Sequence, residues 1–390
     1  MFKILTLNNI AASGLGRFPK DTYEIGNDIV QPDAILLRSA DLHAQPIADS
    51  VLAIGRAGAG TNNIPVTEMS KRGVPVFNAP GANANAVKEL VIAGMLLAAR
   101  NLSDALAFAQ SIAREDDAHA RMEAEKKRFA GSELAGKTLG VVGLGAIGVR
   151  VANAAFALGM RVVGFDLHMT VEGAWQLSSS VQRANSLEEL YGTCEYVTLH
   201  VPLSDATRGL FGSTAVAATK PGLVLLNFAR EGIVDAAAIR AGLDTGELGR
   251  YVCDFPVAEL AGHARVIALP HLGASTAEAE ENCAVMVADQ LREFLESGNV
   301  QHSVNFPNTR MARAGHMRIC ITNANRPNMI GQLTHLLGQA GLNIAQMHNA
   351  SRGELAYNLI DVDAAVPGSL VADIHGIEGI LSLRVIAAGA

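Results

Sequence analysis

The chain has 390 residues, 49% of them hydrophobic and 18% charged, with 38 glycines and a formal net charge of -7. That length suits two or three domains, each with its own core, and that composition excludes a disordered chain. The acidic balance, with no Lys/Arg run longer than Lys126-Lys127-Arg128, argues against nucleic acid or an anionic membrane as the main partner, while leaving room for an anion held by a few local arginines.

The N-terminal MFKILTLNNI reads as a buried first strand. Its apolar run is too short for a signal peptide and is followed by Asn8 and Asn9. Further short apolar runs, AILLR, VLAIGRAG and VPVFNAP, carry an α/β rhythm to about Pro80. Arg38 and Arg56 close two of these strands, and Gly58 and Gly60 follow, so this edge can offer guanidinium groups and backbone N–H groups to an anion. From Ala84 to about Arg114 the spacing predicts one long helix. Its most apolar part, Leu90 to Ala99, lies between Glu89 and Arg100 and is about half of the roughly 20 residues a bilayer span needs.

Between Lys137 and Pro270, β-branched runs alternate with amphipathic helical segments, which predicts a parallel, doubly wound sheet. The first of these runs leads into LGVVGLGAIG, where Gly143, Gly145 and Gly148 form G-x-G-x-x-G between a strand and a helix. In that context the pattern predicts a dinucleotide site: a tight turn, close approach of backbone to pyrophosphate, and the N–H groups of Ala146 and Ile147 at a positive helix end. Asp166 ends the next strand, where a carboxylate accepts from ribose hydroxyls and repels a 2′-phosphate. Leu167 and His168 bring no arginine to offset it, so NAD is expected over NADP.

Three later runs end in polar residues: Arg230 after GLVLLNFA, Glu259 after YVCDFPVA and His271 after RVIALP. Ligands of open α/β sheets lie at the carboxyl ends of strands, so these side chains can meet one substrate. The chemistry of alcohol oxidation gives each a part. His271 is a base whose ordinary pKa of about 6.5 lies near neutrality. Glu259 can orient it, and Arg230 can grip a carboxylate through two hydrogen bonds.

A second long helix is expected from Thr276 to Ser297, and residues 298–315, with Pro307, Arg310 and Arg313, have the chemistry of a linker. From Met317 the order β-α-β-β-α-β, ending in ILSLRVIAA, predicts a ferredoxin-like unit. The domains expected are therefore 1–98 with 276–305, then 99–275, then 316–390. The four cysteines show no C-x-x-C pair, so neither disulfides nor a metal site is expected and the setting is read as cytoplasmic.

The stretches LGVVGLGAIG, LHVPL, NFAREGIVD, DFPVAE and LPHLGAST resemble the D-isomer-specific 2-hydroxyacid dehydrogenases over essentially all of residues 1–305. The resemblance implies a Rossmann-type nucleotide domain, a discontinuous flavodoxin-like substrate domain, and Arg230, Glu259 and His271 as the catalytic set. It also implies cofactor contacts at Val201, Phe228, Ala229, Asp254 and Gly273. Glu231 departs from it, standing where the family usually has a small residue.

Narrower likenesses, LLRSA, RAGAGTNNI and NAPGANANAVKELV, imply 3-phospho-D-glycerate as substrate, held by Arg38, Arg56 and Gly58, at the entry to L-serine synthesis. NANRPNMIGQL is similar to the ligand turn of ACT modules, which implies an amino-acid effector such as L-serine at Asn323, Asn325 and Asn343 and a homo-oligomer, dimer or tetramer. A reductase for glyoxylate, hydroxypyruvate or D-lactate, or an NAD-sensing regulatory protein, would share much of this pattern.

Overall fold

A computed structural model describes residues 1–387; the sequence-predicted last strand reaches Ala388, and that residue and the two after it lie outside the described residues. The chain divides into two compact units, Met1–Asn83 with Ala277–Ala390, and Ala84–Thr276.

The first arm contains β1 (Phe2–Leu7), α1 (Ala12–Leu15), β2 (Tyr23–Gly26), β3 (Ala34–Leu37), β4 (Ala53–Arg56), α2 (Val66–Lys71) and β5 (Val76–Phe77). All pairings are parallel, in the order β2-β1-β3-β4-β5, which is the flavodoxin-like order expected for a substrate domain. The strands are short and apolar because helices and loops cover both faces.

The second unit opens with α3 (Ala84–Ala99), α4 (Leu102–Ile112) and α5 (Ala118–Glu125). The single helix expected over this region is broken. Asn101 adopts a left-handed φ of 51°, and α3 and α4 meet at 68°. Asparagine tolerates that conformation better than most L-residues, so the apolar spacing persists across a corner that periodicity cannot reveal. No single helix among the described residues is long and apolar enough to cross a membrane.

The unit continues with β6 (Thr138–Val142), α6 (Ala146–Ala157), β7 (Arg161–Phe165), α7 (Val171–Gln176), β8 (Gln182–Arg183), α8 (Leu187–Thr193) and β9 (Tyr196–Leu199). It closes with α9 (Ser213–Ala217), β10 (Leu223–Asn227), α10 (Ala236–Thr245), β11 (Leu248–Cys253) and β12 (Val266–Ala268). These strands form one parallel sheet in the order β12-β11-β10-β9-β6-β7-β8. Counted from β6, this is the Rossmann order with one strand added. Apolar clusters cover both faces, Val91, Met95 and Val151 on one and Leu190, Phe211 and Ile239 on the other. Thr170, Ser186 and Asp235 cap α7, α8 and α10 through their side chains.

The chain returns through α11 (Ala277–Ser297), then β13 (Met317–Ala324), α12 (Met329–Gln339), β14 (Ile344–Arg352), β15 (Leu355–Val362), α13 (Gly368–His375) and β16 (Ile380–Ala387). The last four strands form an antiparallel sheet, β14-β15-β13-β16. Alternate side chains point to opposite faces. Ile319, Ile321, Ile360 and Val362 meet Leu333, Leu337 and Ile374 from the helices. Cys320, Tyr357, Leu359 and Ile386 meet Phe294, Leu295, Val300 and Phe306.

The segment read as a linker is accordingly a buried strap. Asn299, Val300, Ser303, Asn305, Phe306 and Thr309 have little exposure, and Val300 and Thr309 exchange both backbone hydrogen bonds. Beneath it Arg318 and Asp361, both fully buried, form a bidentate ion pair at 2.6 and 2.9 Å. The same guanidinium donates to the carbonyls of Ser297 and Ala312. The Arg384 guanidinium bonds the Phe294 and Leu295 carbonyls. Pro327 precedes the N-cap of α12, Asn328, whose φ is 66°.

Candidate active site

The nucleotide turn joins β6 to α6. Gly143 has a φ of 91°, and a Cβ there would stand 2.7 Å from the His200 carbonyl oxygen. A Cβ on Gly148 would lie 1.9 Å from the Gly143 oxygen, so helix and strand meet at a distance only glycine permits. Gly145 differs from both. It is the N-cap of α6, it leaves the first-turn N–H groups without a side-chain partner, and a Cβ there would meet nothing within 4 Å. The turn thus provides a donor-rich concavity that packing does not need, which fits a pyrophosphate approached by the N–H groups of Ala146 and Ile147.

Asp166 follows β7 directly. One carboxylate oxygen accepts from Leu144 N at 2.6 Å and the other from His168 N at 2.7 Å. Each oxygen keeps lone-pair capacity for a ribose hydroxyl, and the carboxylate also braces the glycine turn, a second role the spacing did not reveal. Leu167 is 76% exposed and brings no cation. Val201 and Ala229 are half-buried and Phe228 is buried.

Arg230 follows β10, Glu259 lies in a short 3₁₀ turn after β11, and His271 follows β12. These strands are adjacent and parallel, so their carboxyl ends share one edge with the glycine turn after β6. The side chains of all three are exposed at that edge.

Two buried polar residues shape it. Asn227, fully buried at the end of β10, donates to the Arg230 carbonyl at 2.9 Å and accepts from Ala229 N at 3.2 Å. Asp254, 1% exposed, accepts from Leu272 N and Gly273 N, each at 2.7 Å, and its carbonyl accepts from His271 N. His271 is held at a φ of 55°, left-handed for an L-residue, with its ring 4.8 Å from that of Phe255. Such a conformation persists only where surrounding bonds over-determine it. Asn227 escaped the sequence reading, though an amide closing an otherwise apolar strand is a usable signal. Asp254 was read as a cofactor contact only.

The structure does not join Glu259 to His271 by a hydrogen bond. The Glu259 contact formed here is through its carbonyl, which accepts from Arg240. In the first unit, Arg38 pairs with Glu280 of α11 at 2.6 Å, and the Arg56 guanidinium donates to the Arg38 carbonyl at 3.0 Å. Gly58 does not offer its N–H outward, since it donates to the Arg56 carbonyl. What glycine supplies is room, a Cβ there lying 2.2 Å from the Arg56 guanidinium.

In the C-terminal sheet Asn323 is buried and accepts from Asn358 at 2.6 Å. Asn325 and Asn343 do not meet. Asn325 pairs with Glu354 beyond one end of the sheet, and Asn343 with Asp363 beyond the other. The four cysteines are buried and unpaired, and no group of acidic, His or Cys side chains among the described residues could hold a metal.

Residues 95–273 match the family model for the NAD binding domain of D-isomer specific 2-hydroxyacid dehydrogenases. The chain belongs to this family, and its cofactor is NAD. Within the family it is 33% identical to the D-3-phosphoglycerate dehydrogenase of Haemophilus influenzae, over 87% of this chain and 82% of that one. It is 32% identical to the enzyme of the same name from Escherichia coli K12, over 81% and 76% of the two chains. Among solved structures it is similar to the NAD+-bound 3-phosphoglycerate dehydrogenase of Entamoeba histolytica, with a TM-score of 0.61 and 25% identity, covering 78% of this chain and 98% of that one.

Proposed function

We propose that this chain oxidises 3-phospho-D-glycerate at C2 to 3-phosphohydroxypyruvate, the entry to L-serine synthesis. The observation that carries this reading is the placement of Arg230, Glu259 and His271 after three adjacent parallel strands, on the edge where the glycine turn lies. The likeness to D-3-phosphoglycerate dehydrogenases over most of the chain supports the choice of substrate.

NAD, when bound, supplies the hydride acceptor, and Gly143, Gly145, Ala146, Ile147, Gly148 and Asp166 would hold it. Val201, Phe228, Ala229, Asp254 and Gly273 would line the rest of its path. His271 takes the hydroxyl proton, presented in one fixed direction by the Asp254 clamp and by Phe255. Glu259 stabilises the imidazolium that results, which requires its turn to close on His271 once substrate is present. Arg230 holds the substrate carboxylate with N–H groups other than the one given to Ala229 O. Arg38 meets the phosphate by exchanging Glu280 for a stronger anion, with Arg56 and the Gly58 turn fixing its backbone.

The C-terminal sheet is read as an ACT-like effector module for L-serine, supported by its strand order. Because Asn325 and Asn343 flank opposite ends of the sheet, a site that uses both draws them from two copies of the chain, and the reading therefore includes a homo-oligomer.

The test is a steady-state assay with NAD against 3-phosphoglycerate, glycerate, D-lactate and 2-hydroxyglutarate. The highest kcat/KM is expected for 3-phosphoglycerate, with Arg38→Ala raising KM for that substrate alone. Equal efficiency on glycerate would overturn the substrate and leave the dehydrogenase standing.

A further inference from the structure

In the first unit, the strap and the edge strand of the C-terminal sheet enclose an open cleft of about 510 Å³. Its polar walls are Asn78 after β5, His302, Ser303 and Asn308 on the strap, and Ser351 and Arg352 at the end of β14. Among the described residues no carboxylate lines it. The Ser303 hydroxyl donates to the Val76 carbonyl and one Asn78 N–H to the Ala59 carbonyl, so the donors left to a ligand are chiefly the Arg352 guanidinium, the His302 ring, the Ser351 hydroxyl and the Asn308 amide, a set with a net preference for negative charge.

The walls are fixed in place. Arg352 donates to the Ser303 carbonyl at 2.9 Å, which anchors one arm of its fork and leaves the others to point elsewhere. Ser303 and Asn305, both buried, bond to the backbone of Val76 in β5, and Val304 N adds a third bond to the same residue. His302 sits at a φ of 55°, its N–H held at 2.8 Å by the Asn308 side chain. Left-handed backbone at a non-glycine residue concentrates where a site is being shaped. The nucleotide and catalytic machinery, which lies wholly in the other unit, uses none of these residues.

We propose that this cleft is a second binding site, for a small anion carrying phosphate or carboxylate groups, with Arg352 as its charged anchor. One wall connects onward, since the Asn78 amide donates to the Ala59 carbonyl at 2.6 Å in the turn beside Arg56. An effect of the anion on KM follows from that link and rests on the substrate reading given above. Binding itself does not.

The experiment is calorimetry on the full chain without NAD or substrate, using inorganic phosphate and citrate as separate probes and glycerol as a neutral control. Saturable binding of phosphate, citrate or both is expected, with none for glycerol, and the stronger probe identifies the preferred anion chemistry. Arg352→Gln should weaken binding about tenfold or more, and Arg352→Lys should recover part of it. Ser351→Asp, which places a carboxylate in the cleft and spares the Arg352 to Ser303 bond, should abolish binding while dehydrogenase activity persists. Arg38→Gln should bind both anions as the parent does. The proposal is overturned if neither anion binds saturably, if glycerol binds as well, or if binding survives Ser351→Asp. Loss in Arg38→Gln but not in Ser351→Asp would place the ion at the substrate turn and equally overturn it.

Discussion

His271 shows how much of a catalytic side chain's work is done by its backbone. Its φ of 55° is imposed by Asp254, whose carbonyl and both carboxylate oxygens bind three consecutive N–H groups. His271→Ala should leave NADH affinity within a few-fold and lower kcat by about 10²- to 10⁴-fold, as loss of a general base does. Stopped-flow and equilibrium NADH fluorescence would read the two effects, and near-normal kcat would remove His271 from that role.

A different histidine, His200, carries a pH signature. Its Nε2 meets Thr198 Oγ1 at 2.9 Å, its Nδ1 is shut away without a partner, and burial pushes its pKa from 6.5 down to about 3. The folded state then binds fewer protons than the unfolded state while the pH lies between those two values. The stability held at neutral pH is therefore lost as pH falls from about 6.5 toward 3, and by pH 5 the loss is about 2 kcal/mol. Denaturant titrations at pH 7 and pH 5 should show a shallower acid loss in His200→Gln than in the parent, and parallel slopes would place the acid sensitivity elsewhere.

Among the elements, the turn from β6 to α6 separates folding from binding within one short motif. Gly148→Ala drives a methyl group into the Gly143 carbonyl, whereas at Gly145 the same methyl group enters open space. Gly148→Ala should therefore lower Tm and NAD affinity together. Gly145→Ala should keep Tm within a degree or two yet weaken NAD binding, because what is obstructed is the approach of pyrophosphate to first-turn N–H groups. Calorimetric Tm and NAD titration decide it, and a matched fall in Tm for both would deny Gly145 a ligand role. The corner at Asn101 is the opposite case. It redirects a long apolar helix, and its amide is spent on the fold itself, donating to the Ala130 carbonyl and accepting from Arg250.

At the scale of the molecule, the C-terminal sheet is welded to the first unit rather than suspended from it. Cys320, Tyr357, Leu359 and Ile386 share a core with Phe294 and Phe306, and Tyr357 Oη donates to the Gly298 carbonyl at 2.6 Å. Cutting the chain near Arg313 would expose that apolar face, so such a fragment is expected to aggregate and is a poor test of regulation. The buried pair is a better probe. Arg318→Ala leaves Asp361 uncompensated and should cost about 3–5 kcal/mol, while Arg318→Met with Asp361→Leu should recover most of it. Chemical denaturation of the three proteins measures this, and a loss under about 1 kcal/mol in Arg318→Ala would show that the pair is not integral to the joint. A strap so buried is also a poor hinge, so any effector response has to work through another joint.

The sequence by itself determined the parallel α/β character of both sheets, the glycine turn with Asp166 after the next strand, and the order in which Arg230, Glu259 and His271 follow three apolar runs, although Glu259 lies in a 3₁₀ turn beyond its strand. Local spacing suffices for these, because a strand run, a turn that only glycine can make and a polar residue closing an apolar run are written in neighbouring residues. It also carried the β-α-β-β-α-β order of the C-terminal sheet. Tertiary structure alone decided what distant residues do to one another. Arg38 is paired with Glu280, Asn325 and Asn343 stand at opposite ends of a sheet, and the segment 298–315, polar enough to read as a linker, is tied down by the buried Asn299, Val300, Ser303, Asn305, Phe306 and Thr309. In each case the deciding partner lies far along the chain or on another strand, and a hydrogen bond or ion pair formed across that separation leaves no periodic trace in the residues on either side of it.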